Sequence, residues 1–185
     1  MANPMAAIAR SARPILLGRS AMILVTVGSM MPFDRLIKAM DRWASDRDES
    51  QIFAQIGGGE PPRHMRWARS VRPAEFSELV AKATVIVAHA GMGSIISAAE
   101  AGKSIVIMPR HACLKEHTTD HQVHTATRLL NRPGLFVAMS EAELPERIDQ
   151  AMGATGSARE YLPRTAPEAF VSRIRTLLLN GAIRS

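Results

Sequence analysis

Cysteine is almost missing from this sequence. Cys113 stands alone among 185 residues, which excludes an intrachain disulfide framework and fits a reducing, cytoplasmic compartment, with a structural thiol as the plain role for that residue. Aromatic residues make up only 4% against 46% hydrophobic. The balance falls to Ala, Val, Ile, Leu and Met, a mixture that suits helices packed on a buried sheet better than a sandwich. No apolar run approaches the roughly 20 residues that cross a bilayer, so membrane contact is left to a peripheral face or to a partner. A Lys/Arg-rich run interleaved with aromatics is also lacking, although the net charge is +6 and the sequence pI about 10.4. That excess predicts attraction to phosphates, anionic sugars or an anionic membrane surface, while the scatter of the basic residues in ones and twos argues against a nucleic-acid partner.

What is present alternates between short apolar runs and helical periodicities. Residues 1–21 carry Arg10, Arg13 and Arg19 around a short apolar stretch without the cleavage site of a secretory signal, and are expected to form a flexible extension. Strands are expected at 22–27, 51–56, 66–71, 84–88, 104–108 and 135–137. Helices are expected from Pro32, placed in a first turn, to about Trp43, then over 73–82, after Ser94 to about 101, over 118–130 and over 141–152. With each strand feeding a helix, the economical fold is α/β: a single Rossmann-like, doubly wound parallel sheet spanning 22–152. Residues 153–185 read as a connector and a last amphipathic helix, 167–179. Its stripe of Phe170, Ile174, Leu177 and Leu178 either packs on the domain or is offered to a partner.

In such a sheet, ligands bind at the carboxyl ends of the strands. Three segments converge there: Gly28 with Ser29, His89 to Ser94, and Arg110 to Gln122. Gly91, Gly93 and Ser94 at a strand-to-helix corner let backbone N–H groups approach a phosphate at a helix N-terminus, though glycines at such corners also serve a tight turn alone. The sequence is no Walker loop, since the Lys is missing, and no Gly-x-Gly-x-x-Gly pattern points to a nicotinamide cofactor. The third segment gathers His111, His117, His121 and His124 beside Glu116 and Asp120. It lacks the His-Glu-x-x-His arrangement of a zinc helix, so polar ligand contact is favoured over a metal. Asp120 and Gln122 suit sugar hydroxyls. Arg110, His111 and Lys115 offer cations to a sugar carboxylate, or else face solvent or a partner.

The motifs His89-Ala90-Gly91-Met92-Gly93-Ser94, Gly102, Glu116-His117 and Asp120-His121-Gln122, preceded by Val25 to Ser29 and Pro32-Phe33-Asp34, together resemble the carboxyl-terminal domain of glycosyltransferase family 28 over about 22–152. Within it, the likeness is strongest to the small donor-binding subunits of two-subunit bacterial exopolysaccharide β-1,4-glucuronosyltransferases. The resemblance implies one Rossmann-like domain, the donor-binding half of a two-domain GT-B enzyme, with a UDP-sugar as donor substrate and neither metal nor cofactor. It implies transfer of glucuronic acid to a lipid-linked saccharide in exopolysaccharide biosynthesis. N-acetylglucosamine transfer within the same family, a non-catalytic nucleotide-binding module and a self-sufficient homodimer are the alternatives. A membrane-associated acceptor-binding subunit would be the partner, holding this chain at the inner face of the cytoplasmic membrane. The donor would be bound by Gly28, Ser29, Arg72, His89, Gly91, Met92, Gly93, Ser94, Arg110, Glu116, His117, Asp120 and Gln122, with uracil near Val71 to Pro73. The general base would come from the partner, His89 being the in-chain candidate. Where better-known relatives carry an acid for the ribose hydroxyls, this sequence has Ser97, with Glu100 the nearest acid on the helix.

Overall fold

The computed structural model describes residues 21–154 and the helix 168–181. The extension 1–20 and the connector 155–167 lie outside the described residues. So do the side chains of Phe170, Ile174, Leu177 and Leu178, on which the expected apolar stripe rests.

The elements run β1 Ile23–Thr26, α1 Asp34–Ala44, β2 Ile52–Gln55, β3 Arg66–Ala68, α2 Pro73–Lys82, β4 Val85–His89, α3 Met92–Glu100, β5 Ser104–Met108, α4 His121–Arg128, β6 Leu135–Val137, α5 Leu144–Gly153 and α6 Glu168–Gly181. The six strands form one sheet in the order β3-β2-β1-β4-β5-β6, every pairing parallel. Strand side chains alternate between faces. Ile23 and Val25 therefore pack with Leu36, Ile37, Met40 and Trp43 of α1 and with Leu144 and Ile148 of α5. Leu24, Ile86 and Ile105 pack on the other face with Val80 of α2, Ile95 and Ala98 of α3 and Ala126 of α4. Both faces are covered by helices, which is why the strands read as unbroken apolar runs.

The structure differs from the sequence expectation at several boundaries. β2 passes to β3 without a helix, through the glycine- and proline-bearing loop 56–65, so not every strand feeds a helix. Pro32 precedes α1, whose N-cap is Phe33. β3 is three residues long, and 69–71 turn away toward α2. Residues 118–120 form a turn ahead of α4, in which His117 Nδ1 accepts the Thr118 N–H at 2.9 Å. α5 starts at Leu144 with Pro145 in its first turn, because Glu143 is spent holding Met139 N–H and the Ser140 hydroxyl.

Placement of the site follows from the strand order. The chain leaves β1 toward β2 on one side and returns through α2 to β4 on the other, so β1 and β4 are neighbours whose connections diverge. At such a switch point the loops at the carboxyl ends cannot cover each other, and a crevice opens.

Candidate functional site

The crevice is a cavity of about 800 Å³ whose wall is drawn from the carboxyl ends of five of the six strands, β1 to β5. At its centre lies His89, the last residue of β4. A Cβ on Gly28 would fall 2.7 Å from His89 Cε1, and one on Gly91 would fall 2.2 Å from His89 Nε2. Both distances are below any real Cβ contact, so the ring is bracketed by two glycines that have no room for a side chain. Gly28 also takes φ +76°, a conformation that favours glycine. Burial, and then the nearby Arg110 charge, push the His89 pKa down to about 4, so the imidazole is neutral near pH 7.

Gly91 is the N-cap of α3 and supplies no side-chain cap, which leaves the first-turn N–H groups facing the cavity without a side-chain partner. Gly93 differs from the other two glycines: a Cβ there would meet nothing within 4 Å. Its smallness keeps the space before the helix end open. An open helix N-terminus with free N–H groups can take a phosphate.

A buried polar cluster in this wall escaped the sequence reading. Thr26 and Gln55 face each other in the β1–β2 register, and both are buried. The Thr26 hydroxyl donates to Gln55 Oε1 at 2.8 Å and accepts the Gly28 N–H at 3.2 Å. Gln55 Nε2 donates to the carbonyls of Gly28 and Arg69 at 3.0 and 3.1 Å. The Arg69 guanidinium in turn donates to the carbonyls of Gly57 and Gly59. One amide thus ties together the loops after β1, β2 and β3. The only available signal was a polar residue at the end of each of two apolar runs.

The loop after β5 is held in a different way. Arg110 is 2% exposed; its Nη2 donates to the carbonyls of Val27 and Met31 at 2.8 and 2.6 Å, and its guanidinium carbon lies 5.1 Å from the centre of the Phe33 ring. It braces the β1–α1 loop from inside the cavity wall, rather than standing free beside a sugar. Arg35 of α1 grips Glu116 with two bonds of 2.7 and 2.8 Å and also donates to the Pro109 carbonyl, while Glu116 Oε2 accepts the His111 N–H. Asp120 Oδ1 accepts the Ala112 N–H, and Gln122 Oε1 the Arg110 N–H. Loop shape is therefore written by Arg35, Glu116, Asp120 and Gln122.

Of the residues singled out in the sequence, the fold brings Gly28, Ser29, His89, Gly91, Gly93, Ser94, Arg110, His117 and Gln122 to this one cavity. It does not bring Arg72, Met92, Glu116 or Asp120 to the wall. Arg72 has a 90% exposed side chain, 4.0 Å from Glu75, beside a separate surface depression. Met92 is half-exposed, Glu116 is turned back onto Arg35, and Asp120 onto its own loop. His111 and Lys115 are likewise absent from the wall. Val71, Pro73 and, unforeseen, Phe76 form an apolar patch at one end. His117 and His121 stand edge-to-face at 4.4 Å at the other. Ser97 lines the cavity, and among the described residues no Asp or Glu does; the cations there are Arg69 and Arg110. Among the described residues no group of three His, Cys, Asp or Glu side chains could hold a metal ion, and no helix is long and apolar enough to cross a membrane.

Comparison with known proteins agrees with this geometry. The sequence model described as the glycosyltransferase family 28 C-terminal domain matches residues 22–176. The UDP-N-acetylglucosamine transferase subunit ALG13 of Yarrowia lipolytica (strain CLIB 122 / E 150) is 26% identical over 160 residues, covering 80% of this chain and 77% of that protein. Among solved structures, MurG of Acinetobacter baumannii superposes with TM-score 0.56 at 16% identity, over 86% of this chain and 51% of that one. An NMR solution structure of ALG13 superposes with TM-score 0.54 at 14% identity, over 84% of this chain and 94% of that one. CalG4, the calicheamicin glycosyltransferase, gives 0.54 at 17%, over 89% of this chain and 44% of that one. The chain thus spans about half the length of the larger glycosyltransferases and matches the ALG13 structure over most of its length; at these identities the superpositions establish the shared fold.

Proposed function

The chain belongs to the glycosyltransferase family 28 C-terminal domain family, and we propose that it is the donor-binding subunit of a UDP-sugar-dependent, inverting glycosyltransferase whose acceptor-binding half is a second polypeptide. The observation that carries this is the cavity at the β1/β4 switch point, with the N-terminus of α3 opening into it. In this reading the diphosphate lies against Gly28, Ser29 and the N–H groups of Gly91 to Ser94, braced by neutral His89, and uracil lies toward Val71, Pro73 and Phe76. The first-turn N–H groups gain hydrogen bonds as charge builds on the leaving diphosphate, the preorganised stabilisation such transfers need. An acceptor hydroxyl attacks the anomeric carbon from the face opposite the diphosphate. His89 is enclosed by two glycines, so the base that takes the hydroxyl proton belongs to the partner.

The donor sugar we propose is glucuronic acid, passed to a lipid-linked saccharide in exopolysaccharide biosynthesis, with the subunit held at the inner face of the cytoplasmic membrane by its partner. Support comes from a wall that, among the described residues, has no carboxylate and presents Arg69, Arg110, His117 and His121, a setting suited to an anionic group. Arg110, engaged by two carbonyls, contributes charge rather than a hydrogen bond to the sugar. N-acetylglucosamine transfer is the second reading, favoured by the likeness to the UDP-N-acetylglucosamine transferase subunit of Yarrowia lipolytica. Ribose would be met by Ser94 and Ser97 hydroxyls in place of a carboxylate. The test is transfer by the chain co-expressed with its acceptor-binding subunit, offered UDP-glucuronate, UDP-N-acetylglucosamine and UDP-glucose in parallel. Turnover of the first supports the acidic-sugar reading, turnover of the second alone replaces it, and full transfer by the chain without a partner removes the two-subunit reading.

A further inference from the structure

Strand β3 and its flanks carry a charge pattern of which the cavity uses Arg69 alone. Between residues 61 and 74 the sequence has Arg63, His64, Arg66, Arg69 and Arg72 and no Asp or Glu, and all five of these residues are exposed. The arginines recur at every third residue, which hides them from any search for a basic run. β3 is the terminal strand of the sheet, so Arg66 and Trp67, on its alternate faces, both stand at the sheet's rim, with Arg63, His64 and Arg69 on the flanking turns and Arg72 at the N-cap of α2. Trp67 sits at the middle of that rim, 40% exposed, with the Arg69 guanidinium 5.9 Å from the ring centre. Of the nearby acids, Glu60 pairs with Lys38 at 2.8 Å, Asp41 accepts the backbone N–H groups of Arg63 and His64 and lies 3.5 Å from His64 Nδ1, and Glu75 lies beside Arg72, which leaves Arg63, Arg66 and Arg69 as the face's cations without an acidic partner among the ion pairs of the described residues.

We propose that this rim is a membrane-contact face that docks on an anionic lipid surface, its guanidiniums on headgroup phosphates and the Trp67 indole at headgroup depth. Arginines supply attraction that falls off within a Debye length, and an indole with one apolar side and one N–H settles at the lipid–water boundary. A nucleic acid is the poorer match, since single-strand binding needs successive aromatic platforms and the rim has one. Arg69, Ser70 and Val71 belong both to this rim and to the cavity wall, so docking sets the cavity mouth beside the lipid headgroups. None of this depends on which sugar the cavity holds.

The test is co-sedimentation of the full chain with vesicles of phosphatidylcholine alone and with about one-third phosphatidylglycerol. The chain is expected to bind only the anionic vesicles, less so as salt is raised, and its tryptophan emission to shift to the blue. Trp43 is buried, so W67F should abolish that shift. R63Q/R66Q should weaken partitioning about 30-fold, each arginine near the surface contributing about a factor of five, while R132Q at the opposite edge leaves it unchanged. If the double variant misfolds, the salt dependence and the Trp67 shift of the wild type decide. Equal binding to both vesicles, binding to neither, or a double variant that binds like wild type overturns the proposal. So does capture of a single-stranded oligonucleotide by the same arginines with vesicles left unbound.

Discussion

At the β1/β4 end of the cavity Gly28 and Gly91 press on the His89 ring from two sides, with Thr26 and Gln55 fixing the backbone behind. At the other end the loop 109–122 hangs from side chains: Glu116 on Arg35, Asp120 on Ala112, Gln122 on Arg110. The first end is defined chiefly by backbone and by absent side chains, held by the single buried amide of Gln55. The second is defined by contacts that one substitution can reset. A pocket of this build suits a ligand with one invariant portion and one variable portion, as a nucleotide diphosphate joined to a sugar would be.

The sharpest way to break that contrast is at Gly91. Because its Cβ would stand 2.2 Å from His89 Nε2, G91A should cost about 2–3 kcal/mol of stability by overpacking and weaken UDP binding by two orders of magnitude or so. Thermal melts and calorimetry read both. H89A/G91A should recover much of the stability, and failure to recover would mean that the ring is not what excludes the side chain.

A pH titration tests the same end. The folded His89 pKa of about 4 lies below its ordinary value of 6.5, so the unfolded state takes up the proton first as pH falls. Stability contributed by the neutral ring is fully present above about pH 6.5 and drains away between there and pH 4, by at most about 3 kcal/mol. Urea melts across this range should show the slope, and H89Q should flatten it.

At the loop end, E116Q should cost about 2 kcal/mol by leaving Arg35 short of its bidentate partner. Its more telling effect is on ligands: affinity for UDP alone should stay within about twofold while affinity for the UDP-sugar falls about tenfold. Equal losses for both ligands would erase the distinction between the ends. At the bottom of the scale, R72A should change stability and UDP-sugar affinity by less than about 0.5 kcal/mol, as for a side chain on the open surface.

These contrasts also explain what was legible from residues alone. The glycine corners were found because a strand-to-helix corner is a local signal, complete within Ala88 to Ser94, and the parallel sheet because both of its faces are apolar. Gln55 was missed because its value depends on register with Thr26, 29 residues away. Glu116 and Asp120 stood out as carboxylates beside histidines, yet only the fold reveals that Arg35, 81 residues from Glu116, takes the first and a neighbouring amide the second. Arg110 was placed beside a sugar by its sequence neighbours, whereas its guanidinium reaches back 83 residues to Val27. Sequence proximity located the loop; it could not say which of its polar atoms were already spent.

Calorimetric titration of the purified chain with UDP, NAD and ATP, run beside G91A, tests the central claim of a donor site at the switch point most directly. The account predicts one-to-one binding of UDP that is lost in G91A, with no comparable binding of the other two. UDP binding that survives in G91A, or a preference for NAD or ATP, would contradict it.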